Sequence, residues 1–174
     1  MEKKDLASIL IKKTNSYFRK SDDKNNYRSR NIVCITININ DEDIDFYSCH
    51  AGWWNDDIEP FKYQAEKLLE NISNERLSFI MGDFNNNALV RNEGYDYLIN
   101  KGLIDTYCFA EEKDSGVTVK GEIAGWEAQG EDKRLDLILS NKEIKVKKSN
   151  VIFNEINKQV ISDLYGVEVF IEKK

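Results

Sequence analysis

A run rich in β-branched residues, Ile32 to Ile39, constrains the fold of this chain more than any other stretch. Such residues favour the extended backbone of a strand, because their branched side chains restrict rotation at χ1 and pack well on a pleated surface. The polar turn 40–43 comes next, and a second strand-like run extends from Ile44 to His50. Two such runs joined by a short polar turn predict a β-hairpin.

Later segments show both helical and strand-like patterns. Apolar residues between Glu59 and Leu69 recur as on one face of a helix, with Pro60 in its first turn. The segment 94–100 predicts a second, short helix that ends at Gly102. Short apolar runs bounded by turn residues predict further strands at 77–81, 135–139, 145–153 and 167–171, and the polar, Gly-rich segment 110–133 predicts a long loop. The sequence therefore predicts a mixed α/β fold.

Composition and charge narrow the class of protein. The 174 residues suit one domain, expected to span 1–174, and no stretch approaches the ~20 apolar residues of a membrane span. The formal net charge of -6 disfavours a free-standing nucleic-acid binder, because phosphate neutralisation needs clustered Lys and Arg. The amino terminus lacks a long apolar run, which predicts no secretory signal. Three cysteines without a CxxC pair favour free thiols in a reducing cytoplasm.

Polar residues suited to catalysis stand at or just after the ends of predicted strands. Sheets often present catalytic side chains there, and carboxylates are natural ligands for a hard cation such as Mg²⁺. Taken singly, most have a simpler explanation: a structural histidine, a Gly-Asp turn or a turn cap. A carboxylate in an apolar strand is harder to explain, since burying an unpaired charge is costly. The candidate residues are His50, Asp83, Asn85, Asp136 and Asp163.

The order and context of these residues resemble the endonuclease/exonuclease/phosphatase family, which has the DNase I-like fold. The similarity runs from about Asp22 to the end of the chain and implies a four-layer α/β/β/α sandwich. The matching motifs are the strand ending in His50, Gly-Asp-Phe-Asn at 82–85, Arg-x-Asp at 134–136 and Ser-Asp at 162–163. The flanking segments 52–54, 93–96, 116–119 and 123–126 are most similar to a bacterial branch that includes the maltose 6'-phosphate phosphatases.

The resemblance implies a metal-dependent phosphoric ester hydrolase and a role for each candidate residue. Asp83 would orient or deprotonate the attacking water, while Asn85 and His50 would hold the phosphate. Asp163 would lie beside Mg²⁺ or Mn²⁺ as a metal ligand. Asp136 would orient a catalytic histidine by accepting its ring N–H.

The chain differs from the family pattern at two places. Leu164 stands where the family has the histidine of a Ser-Asp-His motif, and leucine can neither transfer a proton nor bind phosphate. The Asn and Gln-Glu motifs of the family's first half, whose Glu is the principal metal ligand, are absent. We therefore expect a truncated domain that lacks its N-terminal half, supplies one sheet and part of the other, and exposes an apolar sheet face.

Aromatic residues favour a small phosphorylated sugar over a nucleic acid as the substrate, because flat rings pack against sugar faces. The candidates are Trp53, Trp54 and Trp126, each of which could instead fill a gap beneath a loop. Arg28 and Arg30 could contact phosphate or lie in a solvated loop. Three functions stay open: a sugar-phosphate phosphatase, an inactive remnant or half that needs a separately encoded N-terminal half, and a binding module for sugar phosphates.

Overall fold

A computed structural model describes residues 14–19, 30–57, 59–120 and 130–172. Within these ranges the strands lie in two sheets and the two helices fall between strands, which confirms the predicted mixed α/β class. The elements in chain order are β1 (Thr14–Arg19), β2 (Arg30–Ile39), β3 (Glu42–His50), α1 (Phe61–Asn71), β4 (Leu77–Asp83), α2 (Gly94–Asn100), β5 (Ile104–Asp105), β6 (Glu112–Lys113), β7 (Asp136–Ser140), β8 (Lys145–Ile152) and β9 (Gly166–Glu172).

The larger sheet has the strand order β1-β2-β3-β4-β7-β5, and the smaller has the order β6-β8-β9. The predicted hairpin is confirmed, since β2 and β3 pair antiparallel. Asn40 and Asp41 join the two strands with φ of 53° and 66°, the left-handed conformation that a two-residue hairpin turn requires. In contrast, β3 and β4 are parallel, so the chain must cross over between them, and α1 lies in that crossover.

One face of the larger sheet forms the main hydrophobic core with the two helices. Alternate residues of each strand point to this face, as the period of two requires. Burying them removes apolar surface from water, at about 25 cal/mol per Å². The packed residues include Cys34, Tyr47, Ile80 and Leu139 from the sheet, Phe61, Ala65 and Leu68 from α1, and Leu98 from α2.

The opposite face of the same sheet carries both apolar and polar side chains. Its side chains include the paired residues Ile35 and Phe46, and the ring of Phe46 stacks on that of Phe79 with centroids 5.5 Å apart. Val33, Ile35 and Phe46 are half-buried, so the apolar face that the sequence predicts as exposed is only partly so. The smaller sheet approaches this side through β9, which contacts β7.

Several details differ from the sequence-based predictions. Helix α1 begins one residue after Pro60, which is its N-cap. The predicted loop 110–133 contains β6 and an isolated bridge between Val119 and Lys133. Strands β1, β5 and β6 escaped prediction, because β1 is mostly polar and the other two have two residues each. Among the described residues, neither helix has the length and apolar character needed to cross a membrane.

Candidate active site

The pairing of three neighbouring strands puts the candidate side chains in one row. At the end of β3, His50 pairs with Asp83 of β4, and Asp83 pairs with Asp136 at the start of β7. Paired residues on adjacent strands point to the same face, and adjacent strands are only about 4.8 Å apart. Three residues separated by long stretches of sequence thus lie side by side on the face opposite the main core.

His50 lies at the accessible end of this row. Its side chain is 58% exposed, and its Nε2 lies 3.6 Å from Oδ2 of Asp83, which is too long for a hydrogen bond. Partial burial, and then the positive charge of Arg30, lower the pKa of His50. At neutral pH the ring is therefore mainly uncharged, and one of its nitrogens carries an N–H that can donate to a ligand.

Arg30 begins β2 and is only 9% exposed, so the alternative that it lies in a solvated loop is wrong. Its charge acts on both His50 and Asp83, which places the guanidinium near the row. Arg28, the other candidate arginine, lies outside the described residues.

Asp83 is the most buried acceptor beside His50, with a side chain 13% exposed. Burial raises the pKa of Asp83 to about 6, and the negative charge of Asp163 acts in the same direction. The backbone N–H of Asn85, which donates to Oδ1 of Asp83 at 2.7 Å, and the charge of Arg30 oppose this rise. A carboxylate with a pKa near 6 is ionised at neutral pH and is a stronger base than an ordinary aspartate.

The turn after β4 holds Asn85 in a fixed conformation. Asn85 has a φ of 49°, a left-handed conformation that asparagine tolerates better than most residues. Its side-chain amide donates to the carbonyl oxygen of Ala51 at 2.9 Å, and the N–H of Ala51 donates to the carbonyl oxygen of Asp83 at 2.9 Å. An amide NH₂ has two hydrogens, so the one not used for Ala51 can serve a ligand.

Gly82 allows β3 and β4 to approach each other just before Asp83. It has a φ of 136°, and a Cβ atom there would lie 1.9 Å from the carbonyl oxygen of Cys49. Any other residue would force the strands apart. The alternative explanation of Gly82 and Asp83 as a simple turn is therefore wrong, since both belong to β4.

Asp136 occupies the end of the row opposite His50, next to Asp83. Burial raises its pKa to about 7, the charge of Asp83 adds to this effect, and the hydroxyl of Thr118 opposes it. Among the described residues, Oδ2 of Asp136 is buried and accepts no hydrogen bond. An unsatisfied buried carboxylate oxygen costs free energy unless the group takes up a proton. The role of Asp136 in orienting a histidine stays a prediction.

The turn 162–165 brings Asp163 towards the row from the smaller sheet. Asp163 is exposed, and its charge raises the pKa values of both Asp83 and Asp136, so it faces the row. Leu164 follows as a half-buried residue. The N–H of Tyr165 donates to the carbonyl oxygen of Thr118 at 2.9 Å and fastens the turn beside β7.

Thr118 connects these parts; it lies in the segment 116–119, which carries part of the resemblance, but no sequence pattern predicts this structural role. Its hydroxyl oxygen accepts from the backbone N–H groups of Leu135 and Asp136, at 3.1 and 3.2 Å. The side chain is fully buried. Thr118 thereby fixes both the start of β7 and the turn that carries Asp163.

A buried ion pair supports β7 from the other side. The guanidinium of Arg134 pairs with the carboxylate of Asp105 and lies over the ring of Tyr107, 4.6 Å from its centroid. The hydroxyl of Tyr95 also donates to Asp105, at 2.8 Å. Arg134 of the Arg-x-Asp motif is thus a structural residue here, and no pattern in the sequence identifies Asp105 as its partner.

The candidate tryptophans differ in their surroundings. Trp53 is 42% exposed and lines a cleft that also reaches Asn85. Trp54 is half-buried against the core, with ring centroids 6.3 Å from those of Phe61 and Tyr97, which explains its presence without a ligand. A substrate contact by Trp54 stays a prediction, and Trp126 lies outside the described residues.

Comparison with known proteins finds similarity at the level of structure. No family model and no curated protein sequence matches the chain. An endonuclease/exonuclease/phosphatase family protein from Leptotrichia buccalis is 41% identical, with a TM-score of 0.80 over 94% of this chain and 62% of that one. A mannosyl-6-phosphatase from Bacteroides thetaiotaomicron is 17% identical, with a TM-score of 0.68 over 95% and 67%. Truncated TDP2 from Caenorhabditis elegans is 16% identical, with a TM-score of 0.62 over 92% and 64%.

These matches show that the chain has the α/β fold of the DNase I-like type, as the resemblance implies. The chain spans about three fifths of the length of the Leptotrichia protein, so the fold it presents is partial with respect to that protein.

Proposed function

We propose that the chain is a member of the endonuclease/exonuclease/phosphatase family and hydrolyses a phosphoric ester, with a phosphorylated sugar as the substrate. The observation that carries this proposal is the row formed by His50, Asp83 and Asp136, with Asp163 and Asn85 beside it. Similarity to a protein named as a mannosyl-6-phosphatase supports the sugar phosphate, as does the relation to the maltose 6'-phosphate phosphatase branch indicated by the flanking motifs.

In this proposal Asp83 prepares the nucleophile. A water held against its carboxylate attacks phosphorus in line with the ester oxygen, and its proton passes to Asp83 as the new P–O bond forms. The ester P–O bond breaks, and the leaving alkoxide takes a proton from solvent. With a pKa of about 6, Asp83 is ionised and able to accept that proton at neutral pH.

The phosphate is held by donors around Asp83. The exposed ring of His50 donates one N–H to a phosphate oxygen, and the amide of Asn85 donates its second N–H. Arg30 adds positive charge near the same position, which favours the negative charge that develops on phosphorus in the transition state.

The described part of the chain does not contain a complete site for the metal that the resemblance predicts. No group of three His, Cys, Asp or Glu side chains there has an arrangement that could hold a metal ion. The side chains of Asp83, Asp136 and Asp163 bring negative charge to one place. A divalent cation bound there would offset that charge and stabilise the charge that develops on the phosphate. A requirement for Mg²⁺ or Mn²⁺, with Asp163 as a ligand, stays a prediction, and no step above passes through a cation.

The second candidate function is binding without turnover. The unsatisfied oxygen of Asp136 and the leucine at position 164 favour it, because a leucine side chain cannot protonate the leaving group. In this case the chain is an inactive remnant, or a half that needs a separately encoded N-terminal half, and it retains affinity for a sugar phosphate or for that partner.

The proposed hydrolysis is tested by measuring phosphate released from sugar monophosphates, with Mg²⁺ or Mn²⁺ and with a chelator. We expect the Asp83→Asn variant to lower kcat by about 10²- to 10⁴-fold, because an amide cannot accept the proton of the attacking water. Asp41→Asn, the same chemical change in the exposed hairpin turn, is the matched control and should retain the wild-type rate.

The outcomes separate the two candidates. Phosphate release that depends on Asp83 but not on Asp41 supports the hydrolase. If the Asp83→Asn variant releases phosphate as fast as the wild type, Asp83 has no catalytic role and the proposed chemistry is wrong. Saturable binding of sugar phosphate without release, at high protein concentration, supports the second candidate.

A further inference from the structure

The cleft beside Asn85 is the concave feature of the described chain that adjoins the proposed phosphate site. It has a volume of about 420 Å³, which lies within the range of about 300–1,000 Å³ typical of small-molecule sites. The residues that matter for its chemistry are Trp53, Asn85, Asn87, Glu93 and Lys133. Since Asn85 belongs both to this cleft and to the site around Asp83, a bound molecule can extend from one into the other.

The lining combines one aromatic face with a few fixed polar groups. The carbonyl oxygen of the Asn87 side chain accepts from the backbone N–H groups of Arg134 and Leu89, each at 3.2 Å, which fixes the orientation of its amide. Glu93 is the N-cap of α2 but makes no side-chain capping hydrogen bond, so its carboxylate is not engaged at the start of the helix. The ammonium of Lys133 donates to the carbonyl oxygen of Glu131 at 3.2 Å.

The aromatic face and the fixed polar groups together indicate which kind of molecule the cleft can bind. A flat aromatic surface beside a few hydrogen-bonding groups suits a molecule with both apolar C–H faces and hydroxyl groups, which is the chemistry of a sugar ring. The carboxylates of Glu93 and Glu131 offset the single lysine, so the cleft has no excess of positive charge for a nucleic-acid backbone.

We propose that this cleft binds the neutral sugar portion of the substrate, with Trp53 against the sugar face and Glu93 and Asn87 hydrogen-bonded to its hydroxyl groups. The inference rests on the proposed function, because it takes the phosphate to lie at His50, Asp83 and Asn85. It assigns specificity to residues of two connecting segments, 51–60 and 84–93, that follow β3 and β4 directly.

The test uses sugars without phosphate, so that binding is measured independently of catalysis. We expect maltose, glucose or mannose, titrated up to about 50 mM, to bind with a dissociation constant no weaker than the millimolar range, as followed by NMR or calorimetry. Trp53→Ala should weaken this binding at least tenfold, and Glu93→Gln, which keeps the shape but removes the charge, by roughly tenfold. Phe109→Ala is the matched control, since it truncates an exposed aromatic side chain that does not line the cleft.

Trp53→Ala keeps the backbone hydrogen bonds of this segment, because the N–H groups of Asp56 and Phe61 donate to the backbone carbonyl oxygen of Trp53. Absence of saturable binding for all three sugars overturns the inference, as does equal weakening by Trp53→Ala and Phe109→Ala. Phosphate release measured on the same preparations separates the two proposals. Hydrolysis without sugar binding rejects the cleft alone, and sugar binding without hydrolysis supports the cleft and rejects the catalytic proposal.

Discussion

The two halves of the candidate site are built by different means. His50, Asp83 and Asp136 are set in register by hydrogen bonds between strands, and the opposite face of those strands lies in the main core. Asp163 and Leu164 instead belong to a turn whose fixed points are a few hydrogen bonds, one of them from Tyr165 to Thr118. In the first half, His50, Asp83 and Asp136 match the motifs that carry the resemblance, whereas in the second half Leu164 stands where that pattern has a histidine.

The difference shows which part of such a site can change without loss of the fold. Asp83 and Asp136 are flanked by side chains of adjacent strands, so replacing either one changes contacts between strands as well as the chemistry. A residue in an exposed turn carries little packing, and its replacement is tolerated more easily. A departure from the resembled pattern at position 164, in the turn rather than in the strand row, agrees with this difference.

The largest effect is expected for Gly82→Ala, which tests how tightly the strand row is built. The new Cβ would lie 1.9 Å from the carbonyl oxygen of Cys49, so β3 and β4 would have to separate. We expect the free energy of unfolding to fall by about 4 kcal/mol or more, measured by urea denaturation.

Gly102→Ala is the control for Gly82→Ala. Gly102 also has a left-handed φ, 94°, but no atom lies within 4 Å of the added Cβ. It should cost only the backbone strain, about 1–3 kcal/mol. Equal losses for the two variants would mean that β3 and β4 are not held closely together at Gly82, and the contrast between the two halves of the site would weaken.

The same contrast explains what could be predicted from the sequence. Most strands can be predicted from local patterns, because runs of β-branched residues are visible in the sequence. His50, Asp83 and Asp136 can be predicted as candidates because they are polar residues at strand ends. The supports of the site are not local. Thr118 reaches Asp136, and Asp105 pairs with Arg134, through contacts between distant segments with no periodic pattern. The polar strand β1 was missed because it lacks an apolar alternation.

A smaller effect is expected for Leu164→His, which restores to the turn the group that the family pattern has. A histidine there could donate a ring N–H to the unsatisfied Oδ2 of Asp136 and supply a proton to the leaving group. We expect phosphate release to increase about 10²-fold, the lower end of what a general acid contributes. The rate should also acquire a dependence on pH near the histidine pKa of about 6.5.

Leu164→Phe is the matched control, since it adds a ring of similar size without nitrogen atoms. If the two variants release phosphate equally fast, the added nitrogen has no role, and the turn does not lie close enough to the row to complete the site. In that case the turn would differ from the strand row in two ways: it lacks the histidine, and it lies too far from Asp136 for a side chain at position 164 to reach it.

The smallest effect is expected for Asp136→Asn, which removes a negative charge where the strand row meets the turn 162–165. The effect is on how the free energy of unfolding depends on pH. In the folded chain burial raises the pKa of Asp136 to about 7, well above the value of about 3.9 for an unfolded aspartate. Between these values the folded state holds a proton that the unfolded state has lost, so wild-type stability falls as the pH rises from about 4 to about 7. The asparagine variant lacks this contribution.

We therefore expect the free energy of unfolding of Asp136→Asn, relative to the wild type, to rise by about 1 kcal/mol or more between pH 5 and pH 8 in urea denaturation. Any cost of fitting the amide is the same at both pH values, so the change with pH isolates the charge. Asp41→Asn, in the exposed turn, should follow the wild-type profile. Parallel profiles for Asp136→Asn and the wild type would mean that Asp136 is ionised without penalty. Its carboxylate would then already have a partner, and the turn would not be the deficient half of the site.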